Sequence, residues 1–340
     1  MSAIASTSPS NPARIPSSDR RPAIPFSLLA GLLLGAGLMG FTAWDQSYWW
    51  RLKEDYSFGW LVPLFVAYII RVRWPRLKAL LCPSAVNAHR ADGAGVSMLR
   101  IAPFFAILAL GAGATLFLGG AFYRAAAGAT HLSTLALTLG MTGTVLSAIY
   151  LLAPTHSLSR DQQIRDRLSL LGVFLFPTLV WLLSAPMLSE IENGLNLFLM
   201  RHVTNVVFFV FDRLGLVLEQ RGNVLLLPSG SVGVAEACSG IRSLTGCLFA
   251  GSFLAAVFLR SRWKQVALVL ASLLFAFLAN LLRSLFLTSW AYRHGSQSIE
   301  GTIHDVSGFS VLGLTVVALL CLLPLLDRRK KNGALPAVPV

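Results

Sequence analysis

The stretch Leu273–Tyr292, LLFAFLANLLRSLFLTSWAY, decides the class of fold. Its one charged residue is Arg283. A helix rises about 1.5 Å per residue, so a run of this length matches the roughly 30 Å hydrocarbon core of a bilayer. Asn280 and Arg283 lie three residues apart and so share one helix face.

The rest of the chain has the same character. Of 340 residues, 55% are hydrophobic and 13% charged, and the mean hydropathy is +0.67. Soluble domains carry about a quarter charged residues. The pattern predicts an all-α, polytopic integral membrane protein with about eight transmembrane helices. The spans fall near 24–44, 58–74, 101–122, 132–153, 169–188, 241–259, 265–289 and 306–326. The run after residue 24 is too long for a signal peptide and reads as the first span. Before it, residues 1–22, MSAIASTSPSNPARIPSSDRRP, are Ser/Pro-rich and read as a disordered cytoplasmic tail. Residues 23–327 read as one transmembrane domain and 328–340 as a basic cytoplasmic tail.

Orientation follows from Lys and Arg, which concentrate in cytoplasmic loops. With the N-terminus inside, the cytoplasmic segments hold Arg14, Arg20 and Arg21, the group from Arg71 to Arg100, then Arg160, Arg165 and Arg167, Arg260, Arg262 and Lys264, and Arg328–Lys331. Both termini are then cytoplasmic, in a cell membrane of the inner type. A basic inner face against anionic lipid accounts for the net charge of +13 without a nucleic-acid partner.

The long outer segment, 189–240, contains LNLFLMRHVTNVVFFVFDRLGLVL, interrupted by Arg201, His202, Asn205, Asp212 and Arg213. Charges at mid-bilayer cost at least ~2.5 kcal/mol each, so this reads as an interfacial helix and not a ninth span. Turn signals at Arg221-Gly222-Asn223 and Pro228-Ser229-Gly230 then predict a short β-hairpin. It leads to VAEACSGIRSL, Val234–Leu244, which crowds Glu236, Cys238 and Arg242 at the mouth of span six.

Topology brings three groups to one depth on the outer side. Cys238 precedes span six, Arg283 lies in the outer third of span seven, and His304 and Asp305 open span eight. This set suits thiol acyl transfer. A thiolate attacks a peptide carbonyl to form a thioester, His304 serves as base or imidazolium partner, and Arg283 stabilises the oxyanion and lowers the thiol pKa. Arg242 lies on the same face as Cys238; it adds positive potential, binds a substrate carboxylate, or pairs structurally with Glu236 or lipid phosphate. Glu236 supports the site or is structural, and Asn280 is a supporting candidate.

The other polar residues have plainer readings. Cys247 and Cys321 sit within spans, and Cys82 in a cytoplasmic loop, as small apolar residues. Arg51 and Arg124 read as snorkelling, and His131 and His294 as ordinary interfacial residues. No second Cys or His stands at zinc-ligand spacing, so no metal or cofactor is expected. A transporter or flippase of a lipid-linked glycan would spread polar residues across membrane depth. A non-catalytic envelope-assembly scaffold would tolerate loss of Cys238.

LPSGSVGVAEACSGIRSL, Leu227–Leu244, resembles the signature of the exosortase/archaeosortase family of integral-membrane cysteine transpeptidases. DYSFGWLVP (Asp55–Pro63), NLLRS (Asn280–Ser284) and HDVSGF (His304–Phe309) are similar to its other motifs, in order. Phe58 stands where the family usually has His. The resemblance, over about residues 45–325, implies a triad of Cys238, Arg283 and His304. It implies as partners exported proteins with a C-terminal sorting signal (PEP-CTERM-like): a short motif, one transmembrane helix and a basic tail.

The charge distribution predicts that a membrane-impermeant thiol reagent added to intact cells labels Cys238 and spares Cys82. Labelling of Cys82 alone would invert the orientation.

Overall fold

The computed structural model describes residues 26–81, 101–154, 159–228, 230–233, 241–259, 261–299 and 301–327; Glu236 and Cys238 lie outside them. Helix α1 (Phe26–Leu52) runs into a 3-10 segment (Glu54–Leu61) that continues as α2 (Val62–Val72) and α3 (Trp74–Leu81). Helices α4 (Ala102–Ala127), α5 (His131–Leu152), α6 (Arg160–Ser184) and α7 (Ser189–Arg213) follow. Three short strands, β1 (Glu219–Arg221), β2 (Val224–Leu227) and β3 (Gly230–Gly233), precede α8 (Ile241–Phe258) and α9 (Arg262–His294). A 3-10 turn (Ser296–Ile299) leads to α10 (Thr302–Leu326). The all-α polytopic class is as expected from the sequence.

Among the described residues, nine helical segments are long and apolar enough to cross a membrane. Eight coincide with the expected spans. The ninth is α7, and its contacts decide how it lies. At its N-terminal end Glu192 accepts from Lys53 Nζ at 2.8 Å. Near its C-terminal end Phe211 packs edge-on against Tyr292. Lys53 adjoins the 3-10 segment and Tyr292 is near the end of α9, and both regions border the cleft described below. A 25-residue helix is about 37 Å long. Both ends of α7 thus contact residues near one end of the bundle.

The expected hairpin is present and extends to a three-stranded antiparallel meander. Its first turn is closed by the Arg221–Val224 pair, with Gly222 at φ +63°, a region that favours glycine. Leu227 and Val232 bury against Ala291 of α9, so the meander caps the same end of the bundle as α7.

Buried polar groups join the N-terminal helices. Gln46 of α1, fully buried, donates to Thr138 Oγ1 of α5 at 2.8 Å and to the Trp181 carbonyl of α6 at 3.2 Å. Its Oε1 accepts from Ser184 Oγ at 2.8 Å. Trp49 Nε1 donates to Thr134 Oγ1 and Trp50 Nε1 to the Ser184 carbonyl. Between helices in lipid, such bonds and close packing supply cohesion that hydrophobicity cannot. Helices α4 and α5 approach closely: a Cβ on Gly140 would stand 2.4 Å from the Phe117 backbone nitrogen.

Helices α8, α9 and α10 form a second group. An aromatic seam joins it to the first, with Phe65 stacked on Phe249 at 4.9 Å and on Phe253 at 4.0 Å.

One residue departs from its expected role. Arg124 does not snorkel: its Nε pairs with Asp45 Oδ1, and Asp45 is fully buried. Its guanidinium also lies 5.4 Å from the Trp44 ring centroid. Removing one partner of such a pair leaves an uncompensated buried charge, at about 3–5 kcal/mol. Arg124→Leu is therefore expected to lose stability on that scale in detergent-solubilised thermal unfolding, and the double variant with Asp45→Leu to recover most of it. Equal losses in single and double variants would show that the charge is not what matters.

Candidate functional site

Four elements meet in a cleft of about 400 Å³ at the end of the bundle capped by α7. The 3-10 segment contributes Glu54, Asp55 and Phe58, the first turns of α8 contribute Arg242 and Gly246, α9 contributes Arg283, and α10 contributes His304 and Asp305.

Arg283 projects from α9 toward α10. Its Nε donates to Ser307 Oγ at 3.0 Å, and an Nη donates to the His304 main-chain carbonyl at 3.0 Å. Ser307 Oγ in turn donates to that same carbonyl at 2.8 Å. Two bonds along one edge fix the plane of the guanidinium. Gly308 lies beside the guanidinium: a Cβ there would stand 3.5 Å from Arg283 Nη2, an ordinary van der Waals contact.

His304 occupies the first turn of α10, with Nδ1 3.4 Å from Asp305 Oδ1. Arg283 therefore bonds to the histidine's backbone turn, and the two side chains share the cleft.

Asn280 is buried one helical turn before Arg283. Its main-chain oxygen accepts from Ser284 Oγ, and its Oδ1 has no hydrogen-bond partner among the described residues. It does not line the cleft.

Arg242 has partners that sequence reading did not name. It pairs with Glu54 and stands 3.6 Å from Asp55 Oδ1, where the sequence offered Glu236 or lipid phosphate. Thr245 Oγ1 adds a bond to the Asp55 carbonyl at 3.0 Å. The 3-10 segment is thereby tied to the first turn of α8, whose first residue, Ile241, is three positions after Cys238. Gly59, in DYSFGWLVP, is forced by packing as well. A Cβ there would fall 2.1 Å from Trp50 Nε1. Phe58 packs its ring on Phe249 with centroids 5.0 Å apart.

A second polar cluster stands beside the cleft. Lys53 Nζ lies 3.1 Å from His131 Nε2 and His131 Nδ1 lies 3.0 Å from Ser189 Oγ. The His131 ring stacks on Trp49 with centroids 4.3 Å apart. His131 is thus a junction of α1, α5 and the start of α7, not the ordinary interfacial residue expected. His294 does match that expectation, exposed and stacked on Trp290. Cys247 is buried as expected for a small apolar residue, and Cys321 is exposed.

Bonds to a charged group contribute about 1.5–3 kcal/mol, and exposed ion pairs about 0–1. Ser307→Ala is therefore expected to lower unfolding stability by about 1–3 kcal/mol. Arg242→Ala should cost under about 1 kcal/mol, because the Arg242 and Glu54 side chains are 55% and 75% exposed. Thermal unfolding of both variants checks the order; the reverse order would contradict it.

No curated protein and no solved structure matches the chain. A family description does. Residues 49–321 match the transmembrane exosortases, a range that takes in the 3-10 segment, the strand meander and every side chain of the cleft. The chain belongs to the transmembrane exosortase family, which supports a membrane transpeptidase role in protein sorting.

Proposed function

We propose that the protein is a membrane-embedded cysteine transpeptidase that cleaves the C-terminal sorting signals of exported proteins. The observation that carries this is the cleft itself: Arg283, His304 and the first turn of the helix following Cys238 line one space. The signal has the form of a short motif, one transmembrane helix and a basic tail.

Cys238 acts as a thiolate. Its sulfur attacks the scissile carbonyl carbon and the carbonyl oxygen takes the charge. Arg283 faces that oxyanion, and its pre-set plane means little reorganisation as charge develops. The C–N bond then breaks as His304, protonated, donates a proton to the leaving amine. The product is a thioester on Cys238 and a released peptide carrying the signal helix. An acceptor, H–Nu, gives its proton to His304 and attacks the thioester, which restores the thiolate. Asp305 Oδ1 stands 3.4 Å from His304 Nδ1. The positive charge of the opposite end, carried by Arg71, Arg73, Arg76 and Lys78 on one edge and Arg160, Arg165 and Arg167 on another, supports a cleft on the extracytoplasmic face.

Charge and geometry separate at Arg283. Lysine keeps the charge and loses the planar two-donor fork. Arg283→Lys is expected to insert normally, to leave Cys238 reactive toward a small alkylating agent, and to lose about 10²-fold or more in processing. Cys238→Ala abolishes processing, and His304→Ala falls close to it, since groups acting as a unit are not additive. Processing of a co-expressed exported protein with such a signal, and alkylation of Cys238 on the same membranes, measure both. Full processing by Arg283→Lys would remove the oxyanion role, and full processing by Cys238→Ala would remove the nucleophile.

A further inference from the structure

Arg283 lines two spaces. One is the polar cleft. The other is an apolar groove of about 470 Å³ between α9 and α10, walled by Leu282 and Phe286 on one side and Val306, Ser310 and Leu314 on the other. Val311 also belongs to both. Leu282, Phe286, Val306 and Leu314 are each about half exposed, so the groove opens outward from the bundle. Three further apolar grooves, by α4–α6, between α6 and α8, and along α4, share no residue with the cleft.

Depth agrees with this arrangement. Arg283 lies twenty-one residues beyond Arg262, the start of α9, which is about 32 Å at 1.5 Å per residue. If Arg262 marks the inner boundary, Arg283 stands at the outer one. Along α10 the lining extends from Thr302 to Leu314, about 18 Å or three helical turns.

We propose that this groove seats the outer three turns of the sorting signal's transmembrane helix. The inference rests on the transpeptidase reading and adds to it where that helix docks. Peptide bonds inside a membrane helix are shielded by their own hydrogen bonds, so the scissile bond lies just outside the helix. A helix held in a surface continuous with the cleft delivers that bond to it in one register. Helices in lipid associate through close packing at small residues; Ala279, Ser307 and Ser310 provide that approach here. The Ser310 hydroxyl is bonded to its own helix, Oγ to the Val306 carbonyl at 2.7 Å, so it presents little unsatisfied polarity to an apolar partner. A lipid chain would fill the same space without fixing a register, and continuity with Arg283 favours the helix.

The test uses the full chain in membranes, with a co-expressed exported protein from the same genome that ends in motif, helix and basic tail. A photo-crosslinking amino acid is placed at Phe286 or Leu314 in the Cys238→Ala enzyme, and at Leu118 or Phe122 as outward-facing controls on α4. Cross-links to the substrate from the groove and not from the controls are expected. In the catalytically intact enzyme, Ser310→Trp should raise KM for processing about tenfold or more, with kcat and the alkylation rate of Cys238 little changed. Cross-links only to lipid, equal cross-linking from the controls, or an unchanged KM in Ser310→Trp would each overturn the proposal. Failure of the transpeptidase reading shows elsewhere, as processing that survives in Cys238→Ala; the cross-links report docking whether or not cleavage follows.

Discussion

In hydrocarbon every backbone N–H and C=O must be bonded within the chain, and this constraint organises the molecule. Segments cross as whole helices, so consecutive spans enter and leave at alternate ends. Parity then decides which loops can meet. Starting from Glu54, the crossings of α2, α4, α5 and α6 return the chain to the same end. The pairing of Arg242 with Glu54 and Asp55 places the start of α8 there too. One further crossing by α7 would put Arg242 at the far end. The ion pair and the path of α7 are thus two expressions of one constraint, and the convergence of four elements in the cleft depends on it.

Within that frame, polar residues do two kinds of work. The Gln46 hydrogen bonds and the Asp45–Arg124 pair link α1 to α5, α6 and α4. They lie in a protein interior, where an unpaired partner is costly, and this favours one arrangement of the N-terminal helices. Arg283 is held differently. Its bonds to a serine hydroxyl and a main-chain carbonyl set the plane of the guanidinium. A guanidinium held in a set plane beside a cleft is suited to meeting negative charge that develops during a reaction.

On the proposed reading the cleft and the apolar groove divide the task of recognition. Polar groups from four elements face the cleft, while Leu282 and Phe286 of α9 and Val306 and Leu314 of α10 are exposed along the groove. Arg283 stands where the two surfaces join. Binding energy from a distant apolar helix can then serve to orient the reacting bond, which is how remote contacts contribute to a chemical step.

Much of this was legible in the sequence, because membrane insertion is governed by local composition. The run Leu273–Tyr292 and seven others like it appear as helices near their expected bounds. Gly222 marked the turn of the strand hairpin. Arg283 and His304 converge because parity and depth can be counted along the chain. What the sequence alone did not disclose are pairings between distant positions. Arg242 and Glu54 are 188 residues apart, and nothing in the local pattern selects Glu54 over Glu236. Arg124 looked like a snorkelling residue until packing supplied Asp45, and His131 like an interfacial one until α7 brought Ser189 and Glu192 beside it. Gly59 was only a letter of a motif, and its reason is the Trp50 ring that a Cβ would strike. Local chemistry determined which segments are long and apolar enough to enter the membrane. The tertiary structure decided which of those residues touch, because side-chain contact depends on helix rotation and packing that no single segment encodes.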